Sequence, residues 1–112
     1  MPKINSFQFG SLTVDNKRYD NDIIISWDGE LTERDSSHTV SKSELIDLLA
    51  KGPEMIIIGT GVAGNVKIDK DAENFLKTKN VEVITKITPE AIKEFNNISK
   101  KKKTIAVIHV KC

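Results

Sequence analysis

The stretch Met55-Ile56-Ile57-Ile58-Gly59-Thr60-Gly61-Val62-Ala63-Gly64 determines how the rest of the chain is interpreted. Its first four residues are all apolar, as in a strand that is covered on both faces of a sheet. The glycines that follow are typical of a turn at the end of such a strand. The stretch therefore predicts a buried central strand of an α/β fold, with a glycine-rich loop at its carboxyl end.

The segments around this strand alternate between helix and strand. A capping-box pattern at Ser41-Lys42-Ser43-Glu44 opens one helix, a second follows Asp69, and Thr88-Pro89-Glu90 opens a third. Further strands are expected at 81–84 and 104–110. Such alternation favours parallel strands joined by right-handed crossovers.

The first third of the chain has the pattern of strands and turns. Residues 7–14 predict an antiparallel lobe, and Ile23-Ile24-Ile25 predicts a first core strand. We therefore expect one compact three-layer α/β domain, with a mixed, mostly parallel central sheet, helices on both faces and a small N-terminal β lobe. Its expected parts are the β lobe and first core strand in 1–26, a long polar loop in 27–40, and the alternating helix/strand core in 41–112.

Composition excludes several classes of protein. The chain has 112 residues, of which 38% are hydrophobic and 29% charged, so it is neither disordered nor embedded in a membrane. Its net charge of +1 provides no field that would attract nucleic acid or an anionic membrane. The single cysteine, Cys112, cannot form an intrachain disulfide, and the N-terminus lacks the apolar core of a signal peptide. We expect a cytoplasmic protein with no nucleic-acid or membrane partner.

The segment Gly59–Gly64 matches G-x-G-x-x-G, but its context argues against a dinucleotide site. In a dinucleotide-binding unit the third glycine lies in a helix, whereas residues 65–68 here alternate like a short strand. We therefore expect no cofactor. The backbone amides of Gly61 and Val62, with the Thr60 hydroxyl, could still hold a small anion. The alternative is that these glycines serve only the turn.

The polar loop contains the most varied side chains. Asp35 and His38 could form a general base, but no nucleophile follows at a diagnostic spacing, so no catalytic residue is expected. Trp27 could instead cover the edge of the core, and His38 could be a hydrogen-bonded loop residue. A metal site would require His109, Cys112 and His38 together, and we expect no metal.

A set of short motifs in a fixed order resembles a known family. They are Ile4, Phe9-Gly10 and Tyr19, Asp22-Ile23-Ile24 and then Trp27, His38 before a capped helix, Ile56-Ile57-Ile58-Gly59-Thr60-Gly61, Val81-Glu82-Val83 with Thr85, Ala91 with Phe95-Asn96, and the ending His109-Val110-Lys111-Cys112. The chain resembles, over essentially its whole length, the conserved domain-of-unknown-function family that includes the adipogenesis-associated domain protein and mitochondrial complex I assembly factor three.

The resemblance implies a three-layer α/β fold with a mixed sheet and no established enzymatic activity; one branch of the family assists protein assembly. Phe95 stands where relatives usually have tyrosine, so a hydroxyl that could have served chemistry is absent.

We therefore expect a non-catalytic binding or assembly module whose partner is a protein or a small anionic ligand. The oligomeric state is left open. The alternative is a small enzyme acting on a small anionic substrate, with the glycine loop as anion cradle and His38 as base. The expected ligand-binding residues are Gly59, Thr60, Gly61, Gly64, Trp27, His38, Thr85 and Asn96.

Overall fold

The computed structural model describes residues 2–111. Within them the chain forms ten strands and three helices. In chain order these are β1 (Ile4–Gln8), β2 (Ser11–Val14), β3 (Lys17–Tyr19), β4 (Asp22–Ser26), β5 (Leu31–Arg34), β6 (Thr39–Val40), α1 (Lys42–Leu49), β7 (Met55–Gly59), β8 (Lys67–Ile68), α2 (Lys70–Leu76), β9 (Glu82–Lys86), α3 (Thr88–Ile98) and β10 (Thr104–Ile108).

The central sheet has five strands in the order β5-β4-β10-β7-β9. Strands β10, β7 and β9 run parallel to one another, whereas β4 is antiparallel to both β10 and β5. The sheet is therefore mixed, and the expected α/β fold is confirmed. The carboxyl ends of β7, β9 and β10 meet at one edge of the sheet, which we call the carboxyl edge.

The two faces of the sheet are covered by different elements because successive side chains of a strand point to opposite faces. Met55 and Ile57 of β7 pack in a core cluster with α3 and the first strands of the chain. Ile56 and Ile58 pack in a second cluster with α1 and α2. The two clusters produce the three layers that the apolar strand at 55–58 predicts.

The N-terminal lobe is a three-stranded antiparallel sheet, β1-β2-β3, and it is held on α3 by the side chain of Asn96. The Asn96 Oδ1 accepts from the Ile4 N–H at 2.9 Å, and the Asn96 Nδ2 donates to the Ile4 carbonyl at 2.9 Å. Asn96 therefore replaces the backbone of a neighbouring strand, and both ends of its amide are occupied.

The segment 27–40 is more regular than the expected irregular loop, since it contains β5 and β6. Strand β5 forms one edge of the central sheet, and its residues Thr32 and Glu33 are exposed, which explains its polar sequence. Strand β6 pairs in parallel with β8. The sequence pattern missed both because an edge strand and a two-residue strand have no continuous apolar face.

Only half of the expected capping box at α1 forms. The Ser41 hydroxyl accepts from the Glu44 N–H at 3.2 Å, as predicted. The Glu44 carboxylate, however, accepts from the guanidinium of Arg34, at 2.6 and 3.2 Å. The expected return bond of Glu44 to the helix N-terminus is thus wrong, because a stronger charged donor lies within reach.

The other two helix starts agree with the sequence analysis. Asp69 caps α2 by accepting from the Ala72 N–H at 2.8 Å, and Pro89 lies in the first turn of α3. None of the helices formed by residues 2–111 is long and apolar enough to span a membrane.

Candidate functional site

The loop after β7 requires glycine for reasons of packing and backbone conformation. A Cβ on Gly59 would lie 3.1–3.2 Å from Thr88, Ala91 and Ile108, closer than ordinary contact. Gly61 and Gly64 have φ angles of +96° and +75°, which residues with a Cβ rarely adopt. The glycines therefore allow α3 to approach β7 closely and let the chain turn.

The polar groups of this loop are largely occupied within the protein. The Gly61 N–H donates to the Thr88 hydroxyl at 2.9 Å, and that hydroxyl donates to the His109 carbonyl at 2.6 Å. The Thr60 hydroxyl donates to the Lys86 carbonyl at 3.1 Å. Two of the three groups expected to hold an anion with the Val62 amide, the Gly61 amide and the Thr60 hydroxyl, therefore already donate within the protein.

A groove of about 440 Å³ lies beside the loop at the carboxyl edge. It brings together three of the expected ligand-binding residues, Thr60, Gly64 and Thr85, while Gly59 and Gly61 are buried beneath the loop. Charged side chains also line the groove, namely Lys67, Lys86 and Glu73. None of these three forms an ion pair within residues 2–111, so their charges remain available to a ligand or a partner.

His38 lies near this edge but not in the groove. Its carbonyl accepts from the Lys67 N–H at 2.8 Å, which places it beside β8. Its ring, on an exposed residue, meets the ring of buried His109 edge-on, with the centroids 5.3 Å apart. The sequence places these histidines 71 positions apart, and the fold brings them together.

Trp27 lies at the opposite edge of the sheet. Because β4 runs antiparallel to β10, Ser26 pairs with Ile105, near the start of β10. Trp27 packs against the α1–α2 core cluster, and the Lys51 ammonium lies 5.5 Å from its ring centroid. Trp27 therefore covers an edge of the core, which was one of the two roles considered from the sequence. It shares no site with the glycine loop.

The charges beside Trp27 form a small network on the surface. The Lys51 Nζ lies 2.9 Å from an Asp28 carboxylate oxygen and 3.1 Å from one of Glu30. Hydrogen bonds from the Ser26 hydroxyl, the Glu30 N–H and Lys51 hold the pKa of Asp28 well below its ordinary value. The same two carboxylates raise the pKa of Lys51.

We expect the substitution Lys51→Met to raise the pKa of Asp28 toward 3.8, because it removes one of the groups that favour the carboxylate. A pKa that is lowered by folding stabilises the folded state above the ordinary pKa, and this contribution is lost as the pH falls through the folded value. The free energy of unfolding of the variant should therefore change less with pH in the acid range than that of the wild type. Titration of the Asp28 carboxyl carbon by NMR measures the shift.

Lys79→Met is the matched control, since Lys79 lies over the Phe75 ring and forms no ion pair with a carboxylate of the described chain. It should leave the Asp28 titration unchanged. An unaltered Asp28 midpoint in Lys51→Met would contradict the assigned cause.

A buried charged network lies behind His38, and the sequence analysis did not find it. Asp22 is 1% exposed and accepts three hydrogen bonds, from Arg34 at 3.0 Å, His109 Nδ1 at 2.7 Å and the Val110 N–H at 3.1 Å. Arg34 continues the network to the Glu44 carboxylate. The Arg34 guanidinium also donates to the carbonyls of Ser37 and Thr39, and so holds the segment that contains His38.

The ring of His109 has one satisfied and one unsatisfied nitrogen. An ionised carboxylate only accepts, so the Asp22 contact makes Nδ1 the donor, and in a neutral imidazole Nε2 then has the lone pair. This Nε2 is buried and has no hydrogen-bond partner in residues 2–111. The sequence signal for the network was a charged or imidazole side chain directly beside a fully apolar strand, as at Asp22 and His109.

The other residues that sequence reasoning associated with a site fall elsewhere. Asn96 is engaged with Ile4, away from the glycine loop. Cys112 lies outside the described residues. Within residues 2–111, no group of three or more His, Cys, Asp or Glu side chains is arranged to hold a metal ion.

Comparison with known proteins assigns the chain to a family. The model of a family described as a protein of unknown function (DUF498/DUF598) matches residues 4–109. The chain belongs to the DUF498/DUF598 family. This confirms the broad resemblance seen in the sequence, whereas the narrower likeness to the adipogenesis-associated domain protein and to complex I assembly factor three remains a prediction.

Solved structures similar to this DUF498/DUF598 chain share its whole fold. A conserved hypothetical protein from Pyrococcus horikoshii is 30% identical with a TM-score of 0.89, covering 98% of this chain and 99% of its own. A protein named MT938 is 32% identical with a TM-score of 0.80 and full coverage of both chains. A Bordetella pertussis protein described as a Mth938-like domain is 14% identical with a TM-score of 0.72, covering 96% of this chain and 85% of its own.

Proposed function

We propose that this DUF498/DUF598 protein is a non-catalytic binding module that holds a protein partner at the carboxyl edge of its sheet. The supporting observation is the position of its exposed apolar side chains. Four large hydrophobic residues of the described chain are exposed, and three of them, Phe9, Val62 and Ile87, belong to this edge. We call these three residues the edge surface.

The backbone contacts of the edge surface support this grouping. Val62 lies in the loop that follows β7, and Ile87 directly follows β9. A Cβ on Gly64 would lie 3.7 Å from the Ile87 side chain, so the loop and Ile87 are in contact distance. The turn at Phe9 lies beside the chain after β10, because the Gly10 N–H donates to the Val110 carbonyl at 2.7 Å.

The chemistry of the edge favours a macromolecular partner. Exposed apolar side chains rimmed by polar ones are typical of protein–protein contacts. Lys67 and Lys86 in the neighbouring groove outnumber Glu73 and leave it a net positive charge, which favours an acidic group on the partner. A protein held this way agrees with an assembly role, and a small anion bound by the groove alone is the competing outcome.

The enzyme alternative has less support. Its anion cradle would need the Gly61 N–H and the Thr60 hydroxyl, and both already donate within the protein. Its base, His38, does not line the groove. A non-catalytic module needs neither group.

The test compares how much partner is recovered with the wild type and with a variant that has two substitutions in the edge surface. Val62→Ser with Ile87→Ser should reduce the partner recovered with the protein from its own cells at least about tenfold, since each buried aliphatic side chain contributes about 1.5–3 kcal/mol. Ser is a favoured N-cap residue, so the change at Ile87 preserves the start of α3. Native mass spectrometry of the gently purified protein measures the complex.

Ile46→Ser is the matched control, because Ile46 is the fourth exposed hydrophobic residue and lies on α1. The control should capture as much partner as the wild type. The proposal would be contradicted if the control lost as much captured partner as the double variant. A stoichiometric small-molecule adduct with no protein partner would also contradict it.

A further inference from the structure

We propose that His38 and His109 together bind one divalent transition-metal ion of the zinc class. This site goes beyond the proposed binding function and does not depend on it. The sequence disfavoured a metal because a site would need His38 to join His109 and Cys112, and in the fold the rings of His38 and His109 are neighbours.

The first argument is the unsatisfied nitrogen of His109. A buried acceptor without a partner destabilises the folded state, so a native protein rarely keeps one without a reason. The lone pair of a neutral imidazole nitrogen is a good ligand for Zn²⁺. A bound ion would satisfy the His109 Nε2 that residues 2–111 leave unpaired.

The second argument is the carboxylate behind the ring. Metal-binding histidines almost always donate their other ring N–H to a carboxylate or a carbonyl, which fixes the tautomer and increases the basicity of the ligand. Asp22 has this position, with its Oδ2 at 2.7 Å from His109 Nδ1. Asp22 is itself held by Arg34 and by the Val110 N–H, so the ring of His109 is fixed before any ion arrives.

The third argument is the geometry of the ring pair. With Zn–N bonds of about 2.0–2.1 Å, two imidazoles on one tetrahedral ion hold their ring centroids about 5 Å apart. The centroids of His38 and His109 are 5.3 Å apart, close to that separation, and the exposed His38 ring has to turn from its edge-on contact to direct a nitrogen at the ion. Both backbones are anchored, since the His109 N–H donates to the Gly59 carbonyl and the His38 carbonyl accepts from Lys67.

Charge and access also favour a cation. The network beside His109 contains two carboxylates, those of Asp22 and Glu44, against the single guanidinium of Arg34. Its net negative charge attracts a cation to the neighbouring pair of rings. His38 is exposed and so provides the route of entry, and water ligands fill the positions of a four-coordinate ion that the two imidazoles leave open.

The test is titration of untagged, chelator-treated protein with Zn²⁺ by calorimetry. The chain has only two histidines, so no other imidazole competes. We expect one ion per chain, and an affinity at least about 100-fold weaker in His38→Ala, because a lost ligand costs more than the 10–100-fold of a lost outer partner. His38 is exposed, so its substitution leaves the core intact.

Two further measurements separate this site from other sources of affinity. Cys112→Ser removes the only thiol and should keep the binding within about threefold. Zn²⁺ should shift the imidazole NMR signals of both His38 and His109 in the wild type. Binding that survives His38→Ala, binding that is lost in Cys112→Ser, or a shift of the His38 signals alone would each overturn the proposal.

Discussion

Replacing Asp22 by alanine is expected to lower the free energy of unfolding by about 3–5 kcal/mol. The substitution removes the acceptor shared by Arg34, His109 and the Val110 N–H. Within residues 2–111 it leaves the buried guanidinium with Glu44 as its one carboxylate partner. Such a loss is a large part of the about 5–15 kcal/mol that stabilises a domain of ordinary size. Urea unfolding followed by circular dichroism measures the effect.

The size of this effect depends on burial, and Asp20 tests that dependence. Asp20 forms an ion pair with Arg18 at 2.7 Å, but both side chains are about two-thirds exposed. Asp20→Ala should therefore cost less than about 1 kcal/mol. If the two alanine variants unfold at the same urea concentration, the buried network does not stabilise the fold in the way described.

Replacing Phe95 by alanine is expected to cost about 3–5 kcal/mol as well, for a different reason. Phe95 is fully buried on α3, in the cluster that joins α3 to the central sheet and to the N-terminal lobe. The truncation leaves a cavity between α3, the central sheet and the N-terminal lobe that the surrounding strands cannot fill. Thermal unfolding should show a correspondingly lower Tm.

Phe9→Ala is the control for Phe95, since Phe9 is the most exposed large hydrophobic residue of the described chain. The substitution deletes a ring of the same size, but one that is exposed to solvent and not packed in a core. The free energy of unfolding should therefore fall by less than about 1 kcal/mol. A comparable loss in both variants would mean that Phe9 is buried in solution, which would also bear on the edge surface.

The layers of the fold could be predicted from the sequence because they follow from local patterns. Four consecutive apolar residues at 55–58 require cover on both faces, and the caps at Ser41 and Asp69 are visible as single residues. The polar strand β5 could not be predicted in this way. Its residues are polar because it lies at an edge, and the edge is determined by which strands pair far along the chain.

The candidate site was predicted less completely for the same physical reason. The groove collects Thr60, Gly64 and Thr85 because the ends of neighbouring parallel strands meet, which the alternation of elements implies. Trp27 and Asn96 fell elsewhere because their positions depend on the antiparallel direction of β4 and on the docking of the N-terminal lobe. The pairing of Asp22 with His109 spans 87 positions, and no local pattern encodes it.

The central place of β10 determines when the fold can assemble. Ile25 and Ile57 both pair with Ala106, so the two halves of the sheet are joined only through this strand. Until residues 104–108 have emerged from the ribosome, the ribbons β4–β5 and β7–β9 each expose an unpaired edge and an apolar face. The nascent chain therefore has both edges unpaired until then, a state that favours aggregation.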